Sequence, residues 1–270
     1  MGRSLPVLLL ALGTLGCDPT VPPPEPFPVI DGVFTEDFES AERIEDLFAS
    51  DGSRWTNLQR TSGSNRVELT AARSRSGRQS VRLVAEPYDG ETASKADLVL
   101  ERLRLRDGDR VWVEFWVWMA ESGATRDVFL WDLEAPETCT DESSCPAEGT
   151  AAVCPAPGRR LYLSGPLGRS FASDLGKWCR DATFRAPAAT LETERWLRVR
   201  IDLTLDSGPG GRLRVYQDDD LVLDGTGVTL PRADAVYTRM QVGITANGNN
   251  EASNEVFLDD VSVWTEPPGW

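Results

Sequence analysis

Apolar and polar residues alternate with period two along most of this chain, and the alternation is interrupted by Gly, Pro, Asp and Asn. Successive side chains of an extended chain point to opposite faces, so this pattern predicts strands rather than helices. The strongest run is 111–119. Its odd positions are Val111, Val113, Phe115, Val117 and Met119, while its even positions are Trp112, Glu114, Trp116 and Trp118. The first set is core material. The second is three indoles and a carboxylate, suited either to a second buried layer or to an aromatic floor under a ligand. Residues 128–134 predict a further strand, with Phe129, Trp131 and Leu133 on one side and Leu130, Asp132 and Glu134 on the other. Residues 196–205 turn Leu197, Val199, Ile201, Leu203 and Leu205 inward and Trp196, Arg198, Arg200 and Asp202 outward. Shorter strands are expected at 81–85, 98–105, 161–163 and 240–244, and a hairpin joins 213–216 to 221–223 across 217–220. Helical character is confined to a short stretch at 41–48. Many short strands without helix alternation predict an all-β fold, a two-sheet antiparallel β-sandwich or jelly roll.

Two segments frame this set. Residues 256–264 carry Asp259 and Asp260 among large apolar residues, and residues 34–39 carry Glu36, Asp37 and Glu39 around Phe38. They are expected to pair as neighbouring strands and close the sandwich. A carboxylate on an apolar face is costly unless it is paired or metal-bound. Glu36, Asp37, Glu39, Asp259 and Asp260 are therefore candidate oxygen ligands for a structural Ca²⁺. The alternatives are hydrogen bonds from backbone N–H groups, pairing with arginine, or edge exposure.

The first residues change where the domain begins. Arg3 precedes an apolar run at 5–15 that is shorter than the roughly 20 residues of a spanning helix, which reads as a secretory signal over 1–16. Thr14-Leu15-Gly16-Cys17 resembles the lipobox of bacterial lipoproteins, with Thr14 departing from the usual leucine. That resemblance implies acylation of Cys17 and an exported, lipid-anchored protein in the periplasm or at the cell surface. Residues 17–28, with six prolines between 19 and 28, follow as an extended tether. The sandwich is expected over 29–270.

Charge and composition narrow the function further. A net charge of −15 argues against nucleic acid, whose phosphates need a basic surface. The chain has no histidine, which removes the usual general base and the usual zinc ligand together. With Cys17 assigned to the lipid, Cys139, Cys145, Cys154 and Cys179 form an even set in an exported chain, which predicts two disulfides with three connectivities open. The working pairing, Cys139–Cys145 and Cys154–Cys179, would staple a Cys-rich insertion at about 135–180.

The layout resembles the concanavalin A-like lectin/glucanase superfamily, which includes laminin-G-like modules, family 16 glucanases and polysaccharide-lyase-like families. The matching pieces are Glu36-Asp37-Phe38-Glu39, the strand start at 77–83, residues 196–202 with 213–224, Gly243-Ile244 and Asp259-Asp260-Val261. The resemblance implies two bent sheets with a polysaccharide partner on the concave face, and it speaks for fold more than activity. The family 16 motif, Glu-x-Asp-x-Glu on one strand, has its nearest match at Leu130-Trp131-Asp132-Leu133-Glu134, where leucine replaces the nucleophile. A lyase would need a tyrosine in place of histidine, with Arg239 and Gln241 neutralising a uronate; Asp132, Glu134 and Tyr162 are the candidate catalytic groups. The expected ligand-binding set is Glu114, Trp116, Trp118, Asp132, Glu134, Tyr162, Arg239 and Gln241. The main expectation is a polysaccharide-binding module without catalysis. A divergent lyase or glycoside hydrolase and a structural surface lipoprotein are the alternatives.

Overall fold

The computed structural model describes residues 30, 32–48, 54–121, 127–135, 158–165, 168–176, 182–188 and 191–269. Their strands form two antiparallel sheets. The first runs β13 (Asp220–Thr226), β12 (Arg212–Gln217), β11 (Trp196–Thr204), β6 (Arg110–Met119), β15 (Asn254–Trp264), β4 (Ser80–Ala85) and β3 (Arg66–Thr70), with β1 (Val33–Glu36) also on β15. The second runs β10 (Phe184–Arg185), β9 (Ser170–Gly176), β8 (Gly158–Ser164), β7 (Val128–Glu134), β14 (Arg239–Asn247), β5 (Ser94–Leu100) and β2 (Asn57–Arg60). The expected all-β sandwich is the fold.

Alternation explains how the sheets meet. Val111, Val113, Phe115, Val117 and Met119 of β6 and Leu197, Val199, Ile201 and Leu203 of β11 are buried in one cluster with Leu98, Leu100, Trp131, Leu133, Met240, Val242 and Ile244 of the second sheet. Each such side chain, once taken out of water, contributes about 1.5–3 kcal/mol. Truncating Phe115, which is 1% exposed, to alanine would cost about 3–5 kcal/mol.

The framing segments do pair. Val33 faces Trp264 and Glu36 faces Val261, while β4 takes Asn254 to Leu258 along the same edge of β15. Between these two partners the register of β15 on β6 shifts from Asp259 to Ser262, and Asp260 adopts φ +46°. The bulge separates the acids from the apolar face they were expected to share. Phe257 packs outward on Trp118, whereas Val261 and Val263 return to the core.

Other elements differ from the sequence expectation in instructive ways. A register shift lies between Phe129 and Trp131 on the β7–β8 ladder, so Leu130 and Trp131 both enter the core and Phe129 falls on the face of Asp132 and Glu134. The strand expected at 98–105 begins earlier, at Ser94. The stretch at 41–48 contains a single 3-10 turn, Ile44–Leu47. Part of the expected insertion at 135–180 is regular sheet, since β8 and β9 lie within it. Among the described residues there is no cysteine and so no disulfide staple; Cys139, Cys145, Cys154 and Cys179, the expected disulfide set, all lie outside them. The leader, Cys17 and the proline-rich tether lie outside them too.

Candidate functional site

The outward face of the second sheet concentrates polar chemistry. Reading across the strands, Val99 of β5 faces Gln241 of β14, Gln241 faces Asp132 of β7, Asp132 faces Arg160 of β8, and Arg160 faces Asp174 of β9. One step along, Arg239 faces Glu134 and Glu134 faces Gly158. Partners directly opposite in a sheet share a face, so strands distant in sequence deliver one continuous surface. Gly158 is required here by space. A Cβ at this position would lie 2.5 Å from the Leu133 carbonyl oxygen and 2.9 Å from Asp132 Oδ1.

Lys95 and Gln241 are its central pair. Lys95 Nζ donates to Gln241 Oε1 at 3.1 Å and to Gln59 Oε1 at 3.2 Å, while Gln241 Nε2 donates to Glu134 Oε2 at 2.7 Å. The Arg239 guanidinium stands 3.6 Å from Glu134 Oε2 and 3.4 Å from Glu101 Oε1. Arg160 binds Asp174 through two N–H donors at 2.9 and 3.0 Å. Arg239 and Arg160 are thus held in place by neighbouring carboxylates and Lys95 by two amide oxygens.

Two groups on this face are strongly shaped by burial. Asp97 is 0% exposed, and neither of its carboxyl oxygens meets a hydrogen-bond donor among the described residues. Desolvation raises its pKa well above the usual carboxylate range; Lys95 and Arg239 oppose that rise, and Asp132 and Glu134 add to it. Tyr162 stacks on Phe129, with ring centroids 4.8 Å apart and planes at 27°. Burial first, then Asp174, raises its phenol above the ordinary value, against Arg185 and Arg160. The other tyrosines close to the sheets are committed elsewhere: the Tyr237 hydroxyl donates to the Thr229 carbonyl inside the protein, and Tyr216 lies on β12 of the first sheet.

The expected ligand-binding set divides between two faces. Asp132, Glu134, Tyr162, Arg239 and Gln241 come together as described. Glu114, Trp116 and Trp118 do not join them, because β6 belongs to the other sheet and its even positions face the opposite way. There Arg73 lies 3.6 Å over the Trp118 ring and Arg75 lies 4.2 Å over Trp116. Leu130, the position of the missing nucleophile, is buried in the core, so no third carboxylate stands beside Asp132 and Glu134 on that strand.

Of the terminal acids, Glu36, Asp37 and Asp260 line one cavity together with Arg54, and each acid has partners within the protein. Glu36 accepts two N–H bonds from Arg54, at 2.7 and 3.0 Å, and the Phe38 amide at 3.0 Å. Asp37 caps the Glu39 amide. Glu39 accepts the amides of Arg78 and Gln79, which lower its pKa. Asp259 accepts the amides of Arg75, Ser76 and Asp260, and Asp260 takes the Ser76 hydroxyl. Backbone N–H groups and arginine therefore satisfy these acids. Among the described residues no group of three or more His, Cys, Asp or Glu is placed to hold a metal ion.

Sequence reasoning missed Lys95, Asp97, Gln59, Arg160 and Asp174. For Lys95 and Asp97 a signal exists: Ser94 to Leu100 alternates, with Ala96, Leu98 and Leu100 in the core and Lys95, Asp97 and Val99 opposite.

No protein-family model and no curated protein matches the chain. Solved structures do. An endo-β-1,4-glucuronan lyase from the fungus Trichoderma reesei superposes with a TM-score of 0.64 at 14% identity, covering 86% of this chain and 95% of the lyase. The alginate lyase Aly36B gives 0.56 at 12% identity, over 88% and 97% of the two chains. An alginate lyase from Aplysia kurodai gives 0.54 at 9% identity, over 88% and 100%. These identities establish a shared fold. The expectation of a non-catalytic module is corrected by them, because several sandwiches that match this one over nearly their whole length are lyases, so that catalysis is as open to this fold as binding is.

Proposed function

We propose that the outward face of the second sheet is the catalytic surface of a polysaccharide lyase that cleaves a uronate-containing polymer by β-elimination. The observation that carries this reading is the placement of an amide, an ammonium, a guanidinium and a phenol on one sheet face, as Gln241, Lys95, Arg239 and Tyr162, in a chain without histidine. The reaction removes the proton at C5 of the uronate, forms the C4=C5 double bond and breaks the bond from C4 to the glycosidic oxygen, which takes up a proton. Neutralising the uronate carboxylate acidifies C5. Gln241, Lys95 and Arg239 supply the donors for that role; Glu134 positions Gln241 and Arg239, and Gln59 and Gln241 position Lys95. The net transfer is one proton from C5 to the leaving oxygen, so one phenol on one side of the sugar suffices as the shuttle. Tyr162 acts in two steps: its phenolate, which burial and Asp174 oppose and Arg185 and Arg160 favour, takes the C5 proton, and the phenol so formed gives that proton to the leaving oxygen.

Glucuronan and alginate, the polymers named for the matching lyases, are the first substrates to test. Incubation with each should yield unsaturated uronate ends, read by ultraviolet absorbance, and Tyr162→Phe should remove that signal while leaving the fold intact. New reducing ends without unsaturation would indicate hydrolysis and overturn the proposal. The location belongs to the same reading: with Cys17 acylated and the tether extended, the lyase would work at a membrane surface, and Cys17→Ser should release it into the soluble fraction.

A further inference from the structure

The opposite side of the sandwich carries a second polar recess that the lyase reading does not use. On the outward face of the first sheet, Arg110 and Trp112 of β6, Arg200 and Asp202 of β11, and Arg214 and Tyr216 of β12 line a cavity of ≈ 320 Å³, within the size range of small-ligand sites. Pro267 and Pro268, from the segment after β15, close one side. The register makes this one patch: Asp202 faces both Trp112 and Arg214, and Arg200 faces Tyr216.

The guanidinium groups are ordered before any ligand arrives. Arg110 binds Asp202 through Nε and Nη2, both at 2.6 Å, and Arg214 donates Nη2 to the same carboxylate. The Arg110 guanidinium also lies 4.6 Å from the Trp112 ring centroid, and that of Arg200 lies 5.3 Å from Tyr216. Arg200 is held further by the Asp219 carboxylate at 3.0 Å and the Asp218 carbonyl at 3.1 Å. An arginine carries five N–H donors, so Arg110 and Arg214 retain donors beyond those given to Asp202. Three guanidinium groups line the recess with the Asp202 carboxylate, and with Asp219 paired to Arg200 there remains a local excess of positive charge on a chain of net charge −15. Fixed forks between aromatic faces suit a planar oxyanion on a ring that offers C–H faces for stacking.

We infer that this recess is a secondary binding site for a carboxylate-bearing sugar unit of an anionic polysaccharide. It holds the polymer on the face opposite the catalytic one. The inference rests on the lyase reading only for the choice of polymer, and its test separates the two.

The experiment titrates oligoglucuronate into the full chain carrying Tyr162→Phe, by calorimetry, beside the same chain with Arg214→Ala or Arg200→Gln added. Arg214→Ala leaves Arg110 to neutralise Asp202, and a melting curve of each variant confirms folding. Two binding events are expected in the first protein, with one of them weakened at least tenfold by either substitution. Cellulose-derived neutral oligosaccharides should not occupy that second site. Unchanged isotherms in both folded variants, equal binding of the neutral oligosaccharide, or recognition of a sulfated glycan but not of oligoglucuronate would each overturn the inference. Failure of the lyase reading shows separately, as no unsaturated product from the unsubstituted protein, and leaves this isotherm interpretable.

Discussion

Replacing Asp97 by asparagine tests the electrostatics of the candidate catalytic face directly. The carboxyl is wholly buried and meets no hydrogen-bond donor among the described residues; the charges of Lys95 and Arg239 favour its ionised form, and those of Asp132 and Glu134 oppose it. Burial raises its folded pKa, while the unfolded chain titrates near 3.8. Between those two values the folded protein binds one proton more than the unfolded one, so stability falls as pH rises. The slope is about 1.4 kcal/mol per pH unit for as long as folded Asp97 stays protonated. Asparagine has nearly the shape of the neutral acid and no such slope. Asp97→Asn should therefore gain stability relative to the parent as pH climbs from about 4, and the gain should level off where folded Asp97 ionises. At roughly 2–4 °C per kcal/mol for a domain of this size, the difference in melting temperature should widen by about 3–5 °C per pH unit over that window. Thermal unfolding of both proteins from pH 4 to 8 measures it. A variant destabilised by the same margin at every pH would refute the reasoning, because it would mean that Asp97 is ionised throughout and paired with Lys95.

Three further substitutions probe other parts of the structure. Gln241→Ala removes the amide that links Lys95 to Glu134 and should lower lyase turnover by about 10²-fold or more, as expected for loss of a transition-state donor; unchanged formation of unsaturated ends would remove Gln241 from the site. Arg159 is fully buried, donates to the carbonyls of Ala182 and Val228, and lies 4.7 Å from the Phe184 ring, with burial lowering its pKa to about 10. Arg159→Met would strand both carbonyls and should cost about 2–5 kcal/mol in denaturant unfolding. Asn247 is fully buried, donates to Ala85, Glu86 and Ala252 carbonyls and accepts from Asn249 and Asn254; Asn247→Ala should cost about 3 kcal/mol by the same measurement.

The fold was legible because burial imposes alternation. Residues 111–119 and 196–205 each have a face of Val, Ile, Leu, Phe or Met, and those faces became the contact between the sheets. The hairpin was legible from its turn: Asp218-Asp219 joins β12 to β13, and Asp218 takes φ +55°, a conformation that Asp tolerates. What alternation cannot reveal is which sheet a strand joins. Trp116 and Trp118 have the pattern of a ligand platform, yet β6 pairs with β11 and β15, so they lie across the core from Tyr162. Bulges are the second blind spot. One added residue moved Phe129 to the Tyr162 face and set Asp259 on the face opposite Val261 and Val263, and nothing in the local composition marks either shift. Arg160 was hidden for a different reason: its meaning depends on Asp174, a partner fourteen positions away across a hairpin.

The pairing of β1 with β15 also governs the order in which the molecule can be made. β15 lies between β6 on one side and β4 and β1 on the other, so a strand far downstream of β4 and β6 in sequence belongs in the interior of their sheet. Until β15 is made, β6 and β4 have no partner between them, and the loop to be closed from Val33 to Trp264 spans most of the chain. Contacts this distant make folding slow, and until they form, the chain exposes open strand edges that invite pairing with other copies. Keeping the polypeptide apart from other copies until β15 has paired therefore protects those edges.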